Sequence, residues 1–293
     1  MAFDFKEQIL ILLKHKLSYQ QQLKYFIIYN RLFPGHPPLT KGEMQAILHH
    51  IFPGGKNLVI DRSLTVTIHN LYSKSFTIFD PIYPRLWLEL PQPPLLIFYE
   101  GDLDLLNRPN LSLVGSRLIT SYAKQIVPHL VTMATSQGWV CVSGLARGVD
   151  KEVHQAAMNT GIKTSIAIIA TGINQVYPAC HRSLQDQMAE DHLLLSEYLP
   201  EMGARKHHFI MRNRLVAGIS PATIVVEAAQ KSGSLITANY ALQFNREVYA
   251  LPGRLIDPQS QGCNHLIDQG AYPIFSLRQT QDSLIDLYKK QGF

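Results

Sequence analysis

Short unbroken apolar runs alternate with amphipathic segments through most of the chain. "LSLVG" (Leu111–Gly115), "WVCVSG" (Trp139–Gly144), "TSIAIIATG" (Thr164–Gly172), "HLLLSEY" (His192–Tyr198), "ATIVVEA" (Ala222–Ala228) and "EVYALPG" (Glu247–Gly253) read as buried strands. Between them, "SRLITSYAKQIVPHLVTMATSQG", "LARGVDKEVHQAAMNTG", "CHRSLQDQMAE", "NRLVAGIS" and "SGSLITANYALQF" carry helical spacing. Continuous Val/Ile/Leu runs alternating with helices mark a parallel sheet covered on both faces. The pattern predicts a doubly wound α/β domain from about residue 105 to residue 275.

The N-terminal part has a different rhythm. Ile9, Leu10, Leu12 and Leu13 share a helical face, and Tyr25, Phe26, Ile27 and Ile28 add apolar surface. Thr40 followed by Glu43 has the spacing of a capping box at the head of "KGEMQAILHHIF". A small helical domain over residues 1–56 accounts for these segments, closing in the turn Pro53–Gly55. From Asn57 to Gly101 the chain is mixed, with prolines setting off "LLIFYE" as a short strand. The main domain is expected over 57–275, and 276–293 as one terminal helix.

Composition narrows the function classes. Of 293 residues, 46% are hydrophobic and 17% charged, which suits a globular core and excludes disorder. The net charge of +5 is a mild basic bias, compatible with a polyanionic partner. Cys141, Cys180 and Cys263 are far apart, with no CxxC spacing for a disulfide framework or zinc site. The histidine pairs His49–His50 and His207–His208 lack metal-ligand spacing, so no metal and no cofactor is expected. The start has no signal-peptide order and no apolar run is long enough to span a membrane, so a cytoplasmic location is expected.

In open α/β sheets ligands gather where strands hand over to helices. Those turns are "VGSR" (Val114–Arg117), "SGLARG" (Ser143–Gly148), "ATGINQVYP" (Ala170–Pro178), "SEY" (Ser196–Tyr198) and "KSGSLIT" (Lys231–Thr237). Each sets Gly or Ser beside a helix start, where free N–H groups and the helix dipole favour an anion. Arg117 and Arg147 add forked donors suited to phosphate. Neither GxGxxG nor GxxxxGK[ST] occurs, so a standard dinucleotide or Walker-type site is not supported. Asp150 reads as a helix cap or brace, and His154 as a packed or bridging side chain. Glu227 is equally a brace for the next loop or a ligand contact. Ser234 and Thr237 read as hydrogen-bonding their turn, since no GxSxG elbow is present.

The densest basic stretch is "GARKHHFIMRNR", with four Lys/Arg, two His and no carboxylate between Gly203 and Arg214. Arginine for phosphates interleaved with an aromatic for stacking is the pairing that holds single-stranded nucleic acid without reading its sequence. Lys206, Phe209, Arg212, Asn213 and Arg214 join Gly115, Ser116, Arg117, Arg147, Ser232, Gly233 and Ser234 as the candidate site. Arg212 and Arg214 are expected at the N-terminal end of a helix whose apolar face "LVAGI" packs on the sheet, with Phe209 meeting a base.

The order of these turns resembles the DNA-processing protein A family (DprA, also called Smf). The matching pieces include "DPIYP" (80–84), "VGSR", "SGLARGVD" (143–150), "SEY", "RNRLVAGIS" (212–220), "VVEAAQKSGSLITANYA" (225–241) and "GCNHLIDQGA" (262–271). The resemblance implies an extended Rossmann-like fold with a small N-terminal SAM-like helical domain. It also implies a non-enzymatic, dimeric single-stranded-DNA-binding protein. Such proteins bring the RecA recombinase onto incoming strands, past single-strand-binding protein, during natural transformation. The arginine of the "GSR" turn, here Arg117, and the "FPxRNR" segment, here Phe209, Arg212, Asn213 and Arg214, are implied to line a basic DNA pocket. The family's usual proline is Ile210 in this chain, and the winged-helix module carried by many members is expected to be absent. An enzyme acting on a nucleotide is the alternative: Glu227 with "SGSLIT" distantly resembles phosphoribohydrolases, without their PGGxGT spacing. A third is a scaffold that uses Leu284, Ile285 and Leu287 of the terminal helix, a face that packs either on its own domain or on a partner.

Overall fold

Four helices and two short strands open the chain: β1 (Ala2–Phe3), α1 (Phe5–Lys14), α2 (Tyr19–Leu32), β2 (Leu39–Thr40), α3 (Lys41–Ile51) and α4 (Arg62–Tyr72). They are seen in a computed structural model that describes residues 2–52 and 57–292. The first three helices each start with a reciprocal capping box, Asp4 with Glu7, Ser18 with Gln21 and Thr40 with Glu43, so two orphan N–H groups are satisfied at each start. Tyr25 and Tyr29 are fully buried, and their hydroxyls donate to Gln8 Oε1 at 3.1 Å and to the Pro37 carbonyl at 3.0 Å. Ile27 is 60% exposed, because one helical face can bury Tyr25, Phe26 and Tyr29 but not their neighbour.

This unit comprises Met1–Ile78 with Leu95–Phe98. The expected boundary near residue 56 is therefore displaced, and the predicted Pro53–Gly55 turn lies outside the described residues. The displacement comes from α4, whose β-branched sequence hides its helical period and which buries Ile68. Its last residue, Tyr72, donates to Asp4 Oδ2 at 2.7 Å and takes the Lys6 ammonium over its ring at 4.4 Å. β3 (Ser75–Thr77) then pairs antiparallel with the start of β4 (Leu96–Gly101).

The second unit, Phe79–Pro94 and Tyr99–Phe293, is the doubly wound domain. Its elements are β5 (Asn110–Gly115), α5 (Ser121–Ser136), β6 (Val140–Ser143), α6 (Val149–Met158), β7 (Ser165–Ile168), α7 (Arg182–Asp191) and β8 (Leu193–Ser196). They continue with α8 (Lys206–Gly218), β9 (Ala222–Glu227), α9 (Gly233–Gln243), β10 (Glu247–Ala250), α10 (Gln261–Asp268), β11 (Tyr272–Pro273) and α11 (Leu277–Lys290). The strands lie in the order β11-β10-β9-β5-β6-β7-β8, every pair parallel. The chain runs outward from β5 to β8, then returns to the other side of β5 and runs outward again. The winding reverses between β5 and β9, the switch point of the sheet.

Alternation along β5 assigns its two faces. Leu111 and Leu113 join α5, α6 and α11 in one apolar layer. Ser112 points the opposite way, donating to the Val216 carbonyl of α8 at 2.6 Å. The helix α11, expected as a separate terminal segment, belongs to this core. Leu284 and Tyr288 are buried, and Tyr288 stacks on Trp139 at 4.6 Å. Its apolar side is thus used on its own domain, where Ile285 and Leu287 also pack.

Candidate nucleic-acid interface

The carboxyl end of β5 opens into a cleft of about 710 Å³ at the switch point. The turn Gly115–Arg117 forms one wall, the start of α8 a second and the start of α9 a third. Ser116 is buried and sets the first wall. Its hydroxyl accepts from the Leu118 N–H at 3.0 Å and donates to Gln259 Oε1 at 2.8 Å. Its carbonyl accepts from the Val149 N–H at 3.1 Å. That last bond needs Gly148, whose φ is +76° and where a Cβ would fall 2.1 Å from the Ser116 oxygen. With Ser116 held from two sides, Arg117 extends into solvent, its guanidinium 5.3 Å above the Phe209 ring.

The third wall begins with Ser232, the N-cap of α9, whose hydroxyl accepts from the Ser234 N–H at 3.3 Å. Ser234 and Thr237 are buried near the start of α9. Asn213 ties α8 to this wall, its side-chain amide donating to the Gly233 carbonyl at 3.2 Å while its Oδ1 accepts from Arg212 Nε at 3.2 Å. Gly115, Ser116, Arg117, Lys206, Phe209, Arg212, Asn213 and Ser232–Ser234 therefore come together around one cleft.

Two arginines differ from expectation. The helix α8 begins at Lys206, so Arg212 and Arg214 lie inside it and not at its N-terminal end. Both are buried, at 4% and 5% exposure. Arg212 Nη1 donates to the carbonyls of Gly144 and Ile168. These are strand-end carbonyls of β6 and β7, where the ladder has run out and a donor must come from elsewhere. Gly144 leaves room for this guanidinium, since a Cβ there would fall 2.1 Å from that nitrogen and displace it. Arg212 forms the floor of the cleft. Arg214 is not in its lining: Nη2 meets both oxygens of Glu197 at 2.6 and 2.7 Å, in the "SEY" turn. Arg147 is exposed but lies outside the lining, although its neighbour Ala146 is part of it.

The free positive charge sits on the rim. Arg117, Arg205, Lys206 and Lys231 all line the cleft and are exposed. Arg205 and Lys231, which sit in the basic turns of the sequence, extend the candidate site. Tyr177, from the "ATGINQVYP" turn, is also in the lining, as is Gln259, which carries no local signal. Among the described residues, Asp150 is the only lining carboxylate, and it is buried. Burial pushes its carboxyl upward, while Arg212, the Ala146 N–H at 3.2 Å, Ser143 and Arg117 pull it down. It lies beside Arg212, whose charge favours its ionised form.

Glu227, at the end of β9, is a brace. Its Oε2 accepts from the Thr120 N–H at 3.2 Å and hydroxyl at 2.7 Å, fixing the start of α5, and it does not line the cleft. Burial raises its carboxyl and Thr120 opposes that. Cys141 and Cys263 are buried free thiols pushed up to about 12 by burial. Among the described residues, no His/Cys/Asp/Glu group could hold a metal and no helix is long and apolar enough to cross a membrane.

A doubly wound sheet whose switch-point cleft is rimmed by Arg and Lys, without a GxGxxG or GxxxxGK[ST] loop, defines a Rossmann-like protein. Within that class, the chain belongs to the DNA recombination-mediator protein A family, whose model matches residues 74–287. It is 44% identical over 197 residues to the DNA processing protein DprA of Streptococcus pneumoniae, covering 67% of this chain and 69% of that protein. It is 45% identical over 204 residues to DprA of Bacillus subtilis, covering 69% and 68%. The crystal structure of the Streptococcus pneumoniae protein superposes with a TM-score of 0.81 at 36% identity, over 94% of this chain and 96% of that one. A DprA structure from Helicobacter pylori, described for its single-stranded DNA binding mode, gives 0.66 at 31% identity, over 73% and 96%.

Proposed function

We propose that the protein binds single-stranded DNA in the switch-point cleft and brings the recombinase RecA onto that strand, past single-strand-binding protein. It does so as a cytoplasmic homodimer, without covalent chemistry of its own, in natural transformation and recombination. The observation that carries the reading is the convergence of Arg117, Arg205, Lys206 and Lys231 on the rim of one cleft. Four exposed cations around an opening in which Asp150 is the one carboxylate among the described residues suit a chain of phosphates, and phosphate contacts do not read sequence. The Helicobacter pylori relative, described by its single-stranded DNA binding mode, supports the same ligand.

The nucleotide-processing alternative needs a carboxylate free to act on a bound nucleotide. Glu227 does not line the cleft and holds Thr120 through its Oε2, and Asp150 is buried beside Arg212, which counts against it. The test is anisotropy of labelled oligo-dT at several salt concentrations. Each phosphate contact on a single strand contributes about 0.7 to the slope of log affinity against log salt. Arg117→Ala with Lys206→Ala should weaken binding and flatten that slope by about 1.4. Wild-type affinity and slope in the double variant would remove the reading.

A further inference from the structure

Phe209 was expected to meet a base, yet its ring already has two occupants. The Arg117 guanidinium lies over it at 5.3 Å, and the Tyr177 ring packs against it at 5.1 Å and 63°. Both rings line the cleft, but Phe209 is partly buried whereas Tyr177 is 47% exposed. Among the described residues the Tyr177 hydroxyl makes no hydrogen bond, and its ring packs on Phe209 while about half of the side chain faces solvent. We propose that Tyr177 is the platform on which a base of the bound strand stacks, while Phe209 holds Tyr177 and Arg117 in place. The inference deepens the single-strand reading and rests on it.

The geometry assigns distinct tasks to three side chains. Phe209 is a positioning residue, a flat surface that orders a flexible guanidinium through its π-face and a second ring through edge contact. Arg117 then meets a phosphate, and Tyr177 stands near enough to take the base of the same or the next nucleotide. A ring that is already ordered loses little freedom when a base settles on it, which favours a fixed tyrosine over a mobile one. Stacking needs no hydrogen bond from the base, so the contact is tolerant of sequence, and the hydroxyl is dispensable.

The probes are oligo-dT and an abasic strand of the same length, which keeps the phosphates and removes the bases. Tyr177→Ala should weaken oligo-dT binding by about 5- to 150-fold, leave the salt slope unchanged and leave abasic binding at the wild-type level. Tyr177→Phe should bind oligo-dT like the wild type. With 5-iodouracil in the strand, photocrosslinking should place the adduct on the peptide containing Tyr177. Wild-type oligo-dT affinity in Tyr177→Ala, an equal loss on abasic strands, or adducts confined to Phe209 would each overturn the assignment while leaving the single-strand reading intact. A wild-type protein that binds neither strand would remove both.

Discussion

Replacing Arg212 by methionine keeps the aliphatic stem and removes the guanidinium beneath the cleft. The structure indicates what that costs. The carbonyls of Gly144 and Ile168 lose their donor inside a buried site, at about 1–3 kcal/mol each. Asp150, buried beside the guanidinium, loses its counter-charge and is driven further toward its neutral form. The methionine recovers part of this by filling the space, which leaves a net loss of about 3–5 kcal/mol. That is a large share of the 5–15 kcal/mol typical of a domain and corresponds to a midpoint drop of about 6–20 °C for a unit of this size. Urea denaturation followed by tryptophan fluorescence is the assay, because both tryptophans, Trp87 and Trp139, are buried in the second unit. The salt slope for oligo-dT should stay at the wild-type value. Wild-type stability together with a flattened slope would mean that Arg212 is a phosphate ligand and not a brace.

Two further outcomes follow from buried groups near the cleft. His154 is fully buried with Nδ1 2.8 Å from Ser165 Oγ, and burial, aided by His192, Arg212 and His181, pushes its imidazole down to about 3. The unfolded chain therefore takes up a proton below about pH 6.5 that the folded chain refuses, so stability rises with pH between about 3 and 6.5 and falls as acid is added. Each pH unit in that window contributes about 1.4 kcal/mol, and His154→Gln, less stable at neutral pH, should lose about 2–3 kcal/mol less than wild type between pH 6.5 and 4.5. Parallel stability–pH curves would contradict this. Gly148→Ala must hold a side chain at φ +76° and push a Cβ to 2.1 Å from the Ser116 carbonyl. It should cost at least about 2 kcal/mol and lower oligo-dT affinity by moving the Arg117 turn, and unchanged urea and anisotropy curves would refute it.

The sequence by itself determined whatever depends on near neighbours. Alternating apolar runs named the strands and helices of the doubly wound unit, and the Thr40–Glu43 spacing marked a helix start that the structure contains. The turns at the carboxyl edge were legible as the place where a ligand would sit, because any parallel sheet leaves its helix starts there. The boundary of the helical unit was not legible, since α4 declares itself through contacts with Lys6 and Asp4 at the other end of that unit. Nor could local pattern separate free cations from committed ones. Arg117, Arg212 and Arg214 look alike in the chain. Only tertiary structure brings Arg212 against carbonyls 68 and 44 residues away and Arg214 against a carboxylate 17 residues away. A guanidinium is available to a ligand only if no strand-end carbonyl or buried carboxylate has claimed it, and such partners are fixed by how the strands are ordered in the sheet.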